Sequence, residues 1–166
     1  MLSAVAGVVR DAARGAVAGA AAVWLMDLVT TTLLESQSRE VTEREEAARP
    51  RGKPALVNLV EQLETSYEMD LTNEQRDGLI QLLHYALGVV PGALYGVFRK
   101  RLALVGAANG VLYGLALFAV NDEYLNTRLG LAGPISDYPL ETHWRGLVGH
   151  VVLGMSTDTG IVLLGG

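Results

Sequence analysis

The chain has 166 residues, half of them apolar, with 19 glycines, no cysteine, 13 Lys and Arg against 18 Asp and Glu, and a net charge of −5. The missing cysteines exclude disulfides, thiolate metal sites and a cysteine nucleophile, and the acidic balance says nothing in favour of a nucleic-acid partner, so none is expected. Four apolar stretches, at 15–34, 79–98, 102–120 and 146–164, take up about half of the chain, and most of the charge lies outside them. A single domain over 1–166, embedded in a lipid bilayer, is the expected organisation.

Each stretch is 19 or 20 residues long. At about 1.5 Å per helical residue that length matches a hydrocarbon core of roughly 30 Å. The sequence therefore predicts an all-α membrane protein with four transmembrane helices. The start, MLSAVAGVVRDAARG, lacks a basic region ahead of an apolar core and a clear cleavage site, so the first segment is expected to be retained.

The 35–78 connection carries six basic residues among eleven acids. Its ESQSREVTEREEAA run has good helix formers, so segment one is expected to continue beyond the membrane surface until the stop at Arg49-Pro50-Arg51-Gly52-Lys53-Pro54. Pro54 then suits a helix start, and Leu56, Leu59, Val60 and Leu63 share one face of an extramembrane amphipathic helix ending near Met69. Thr72 and Gln75 have capping-box spacing, placing the next helix start near Asn73. Pro91 should loosen segment two near its middle. The second connection, 121–145, carries the turn signals Gly133-Pro134 and Tyr138-Pro139, with Tyr138 and Trp144 suited to the membrane interface.

Arg99-Lys100-Arg101 form the turn between segments two and three, and Arg10 and Arg14 flank segment one on the same side. Positive charge marks the cytoplasmic side, so both termini are expected there.

An internal repeat organises the segments. Gly15, Gly19 and Asp27 recur as Gly110, Gly114 and Asp122 at a constant offset of 95, while His84 and Gly88 recur as His150 and Gly154. This reads as one helical hairpin used twice, both copies pointing the same way. Small residues allow helices to approach closely in lipid, and Gly15 and Gly19, then Gly88, Gly92 and Gly96, then Gly106, Gly110 and Gly114, then Gly146 with Gly149 or Gly154, offer every segment such a face. Four helices are not expected to turn all of these faces inward, which leaves some for other subunits or a second copy.

Candidate chemistry lies in the embedded polar residues. A carboxylate at depth costs roughly 2.5–3.5 kcal/mol, so such groups face a partner or cavity. Asp27, His84, Asp122 and His150 all fall toward the loop side and are expected to gather about the axis between the hairpins. Four readings compete for them: hydrogen bonds that fix helix register, a proton or ion pathway, a divalent metal, and a bis-histidine haem at His84 and His150. Asn109 is read as an interhelical hydrogen-bond donor, and Asp158 as a group that caps or bends segment four. No nucleophile–base pair, Walker loop or dinucleotide fingerprint occurs, so no catalytic residue is assigned and no cofactor is expected beyond those two options.

WLMD in segment one, HYALGVVPGALYG in segment two, YGLALFAVNDE in segment three and GHVVLG in segment four resemble the YagU-like bacterial inner-membrane proteins. The resemblance implies an inner-membrane location and the same helical fold, and transfers no catalytic residue. The expected role is that of an accessory or assembly subunit, or a homo-oligomer, acting through helix contacts rather than as an enzyme. The alternative is a small proton or ion transporter.

Overall fold

A computed structural model of the chain describes residues 2–166, and all regular structure among them is helical. Helix α1 spans Leu2–Glu35, α2 Arg39–Ala48, α3 Ala55–Ser66 and α4 Asn73–Phe98. Helix α5, Val111–Leu117, runs on through a π-helical stretch, Phe118–Leu125, into the short α6, Asn126–Arg128, and α7 covers Leu140–Leu163. Three of these, Ser3–Glu35, Asn73–Phe98 and Leu140–Leu163, are long and apolar enough to cross a membrane.

Local signals set most of the boundaries. Thr72 Oγ1 accepts from Gln75 N while Gln75 Oε1 accepts from Thr72 N, so the capping box starts α4 at Asn73 as its spacing requires. Helix α1 does not run on to the proline-rich stop. It ends at Glu35, and Ser38 caps a separate α2 by accepting from Val41 N. A serine can satisfy an orphan helix donor, so the chain turns here before any proline compels it. Helix α4 passes through Pro91 unbroken.

The third apolar stretch departs most from expectation. Residues 102–110 form turns rather than the first half of a spanning helix, and Ala108, Asn109 and Gly110 all have positive φ, at 55°, 50° and 85°. Glycine and asparagine tolerate that region and are poor helix formers, so Gly106, Asn109 and Gly110 together interrupt an otherwise apolar run. Asn109 is exposed in this turn. Gly110 serves as a turn residue whose missing Cβ leaves room for the Gly154 backbone, and Gly106 lies over the carbonyl of Arg99. Their service as a helical packing face is thereby corrected.

Helix α1 packs along both α4 and α7, α5 packs on α7, and α4 also touches α7. Glycines set the spacing. A Cβ on Gly15 would collide with the Gly92 carbonyl, one on Gly19 with that of Gly88, and one on Gly96 with that of Asp11, so α1 and α4 meet backbone to backbone and antiparallel. Gly114 and Gly154 do the same between α5 and α7, and Gly149 and Gly160 admit Thr30 and Ala18 of α1. Stacking of Tyr95 on Tyr113, centroids 4.4 Å apart, joins α4 to α5. The glycine faces expected to be left over for other subunits are therefore used within this one bundle.

The end of the bundle where α1 finishes and α4 and α7 begin carries a polar cap. Buried Asn58 on α3 donates from Nδ2 to the carbonyls of Leu131 (2.9 Å), Lys53 (3.0 Å) and Pro50 (3.3 Å), and its Oδ1 accepts from Arg51 Nη2 at 2.7 Å. Buried Glu45 on α2 accepts from Arg49 at 2.6 Å, and from Arg145 and Thr142 of α7 at 2.8 Å. These bonds fasten α2, α3 and the 129–139 loop onto the helix ends.

Candidate functional site

The four embedded groups form two pairs, one on α1 and α4 and one on α7 and the 118–125 stretch, rather than one cluster. On α1 and α4, His84 Nε2 lies 3.0 and 2.9 Å from the two oxygens of Asp27, so an imidazole protonated at Nε2 donates to that carboxylate. In the other pair, His150 Nδ1 donates to the Gly146 carbonyl of its own helix at 2.9 Å and is 3.6 Å from Asp122 Oδ2. Asp122 Oδ1 instead accepts from Asn121 Nδ2 at 3.0 Å. The same residue types thus give a close pair and a loose one.

The glycine contacts explain the difference. Gly15 opposes Gly92 and Gly19 opposes Gly88, whereas Gly110 opposes Gly154 and Gly114 opposes His150. By the offset of 66 that relates His84 to His150, the second pair of helices is displaced by four residues, or about one helical turn of 5.4 Å. Among the described residues no group of three His, Asp or Glu side chains is placed to hold a metal ion. His84 and His150 each sit beside a different carboxylate, Asp27 and Asp122.

The pairs differ in surroundings as well. The Asp27 and His84 side chains remain 40% and 31% exposed, among exposed Trp24, Leu28 and Leu87. Glu35 is eight residues beyond Asp27 and Asp77 seven before His84, so the pair lies about 10–12 Å inside the nearest helix-end charges. His150 is buried, and Asp122 opens onto a cavity of about 230 Å³ beneath the cap, also lined by Glu45, Glu123, His143 and Phe118. There His143 Nδ1 is 2.7 Å from Glu123 Oε1, a pair hidden in the sequence because its members are 20 residues apart on different elements.

Asp158 neither caps nor bends α7. It is buried and accepts from Tyr95 Oη at 2.6 Å and from Arg99 Nε at 2.8 Å, with Arg99 Nη2 at 2.7 Å. Arg99, legible beforehand only as a topology-setting charge, is thus a structural partner. The hydroxyl of Tyr113, whose ring stacks on Tyr95, is buried without a hydrogen-bond partner among the described residues.

Glu45 sits outside the apolar segments. Burial pushes its carboxyl upward, but the hydrogen bonds from Arg145, Thr142 and Arg49 outweigh that and hold it below the ordinary carboxylate range. It is a charged anchor for the cap. Comparison with family models, with curated proteins and with solved structures finds no match for this chain.

Proposed function

We propose that this is a four-span protein of the bacterial inner membrane, YagU-like in kind, that works through helix contacts as an accessory or assembly subunit or as a homo-oligomer. In this reading the 18-residue run from Val111 to Arg128 makes the fourth crossing, about 27 Å long, with 102–110 as its irregular lead-in. Two hairpins then point the same way and the termini are cytoplasmic, as the charges of Arg10, Arg14, Lys100 and Arg101 favour.

The observation that carries the assembly role is the half-exposed Asp27–His84 pair. A carboxylate and an imidazole set within a lipid-facing apolar surface are costly unless another polypeptide covers them. The total accessible surface, 9817 Å², supports this by exceeding the roughly 8,000 Å² of a compact soluble monomer of 17.7 kDa. Mild-detergent purification tests it: wild type should carry a second polypeptide, and Asp27→Leu with His84→Leu should release it. A wild-type monomer with nothing bound would end the proposal.

Proton or ion conduction is a second reading. It is favoured by the buried Tyr113 hydroxyl, which has no hydrogen-bond partner among the described residues and belongs to a ring stacked on Tyr95 of the Tyr95–Asp158–Arg99 group. It requires a pH-dependent flux in liposomes that His150→Ala abolishes. No flux in wild type would count against it.

A further inference from the structure

Around Asp27 and His84 the outer surface of α1 and α4 holds a small polar layer. Thr31 lies one turn after Asp27, Gln81 just under one turn before His84, and both are exposed. The rest of the face is apolar. Ala13, Val17, Ala21, Trp24 and Leu28, at spacings of four, four, three and four, make one exposed stripe on α1.

We propose that the occupant of this face is a second copy of the chain, joined about a two-fold axis parallel to the membrane normal. The proposal rests on the assembly reading and adds the identity of the partner. Copies inserted in the same direction can be related only by such an axis, which maps every depth onto itself. Polar layer therefore meets polar layer, and apolar stripe meets apolar stripe. The layer is also complementary to its own image: the Asp27 carboxylate accepts from its own His84 and keeps further lone pairs, and Gln81 and Thr31 both donate and accept. Gln81 and Thr31 of each copy donate to the remaining lone pairs of the other's carboxylate, and Ala13 and Ala21 let the two α1 helices approach. An unrelated partner would have to bring a matching layer at the same depth.

The absence of native cysteine makes the test direct. Single variants Ala21→Cys, Trp24→Cys and Leu28→Cys are oxidised in native membranes, with Leu112→Cys on α5 as control. At least one α1 variant should give a covalent dimer and the control none. In detergent, Asp27→Asn with His84→Leu should weaken self-association about tenfold. Equal cross-linking at Leu112, or no dimer at any α1 position, overturns the second-copy proposal. If cross-linking fails but the double variant sheds a different co-purifying protein, the assembly reading survives. If wild type has neither, both fall.

Discussion

Tyr95 donates its hydroxyl hydrogen to Asp158 at 2.6 Å while Arg99 holds the same carboxylate oxygen from Nε at 2.8 Å, so one acid on α7 fastens the last turn of α4 and the residue just past it. Both ionic partners are largely buried, at 12% and 8% exposure. Removing one member of such a pair leaves the other uncompensated, which costs about 3–5 kcal/mol. Asp158→Ala should destabilise by that order, whereas Tyr95→Phe, which deletes one hydrogen bond and keeps the stack on Tyr113, should cost about 1 kcal/mol. Equilibrium unfolding in mixed micelles separates the two, and equal effects would show that the ion pair contributes nothing beyond the hydroxyl.

The backbone contact between α1 and α4 predicts a contrast between glycines of the same helix. A methyl group at Gly92 meets Gly15 O at 2.6 Å, and Gly78 has nothing within 4 Å. Gly92→Ala should force the helices apart and cost at least about 1–3 kcal/mol. Gly78→Ala should gain up to about 1 kcal/mol from helix propensity. Melting temperatures of the two variants check the sign.

Acid should loosen the cap. With the Glu45 pKa below its unfolded value of 4.5, its contribution to stability is complete above that pH and is lost as pH falls through the lower folded value. Amide exchange in α2 should therefore accelerate as pH drops below about 4.5, after correction for intrinsic exchange, and Glu45→Gln should flatten that dependence. A wild-type cap unchanged from pH 6 to pH 3 would contradict the anchoring role.

Much of this could be read from residue spacing, because helix length, capping and small-residue periodicity are local properties. The Thr72–Gln75 box placed the start of α4, and the structure brings α1 against α4 and the 118–125 stretch against α7. What could not be read depends on three-dimensional register. Hydropathy averages over 102–120 and hides the turn that Asn109 and Gly110 permit. No periodicity shows that Asp158 and Arg99, 59 residues apart, meet, or that Glu45, within a charged run, is buried. The glycine surplus misled for the same reason: counting faces cannot reveal that α1 is gripped from both sides.

Asn58 gives a fourth prediction. Its amide bridges α3 to Pro50, Lys53 and Leu131, so Asn58→Leu leaves several carbonyls and Arg51 without their partner. A loss of about 2–3 kcal/mol confined to the cap is expected. Limited proteolysis should cut the 49–54 and 129–134 segments sooner while the long helices stay intact, and protection equal to wild type would count against it.

The one-turn displacement between the two helix pairs has a wider meaning. Equal residue types suggest two equivalent environments, but here the position of one helix along its neighbour leaves one acid gripped by its histidine and the other slack over a void. Composition alone would assign both acids the same behaviour. Screw position along a helix thus acts as an independent variable that separates two sites built from the same residue types.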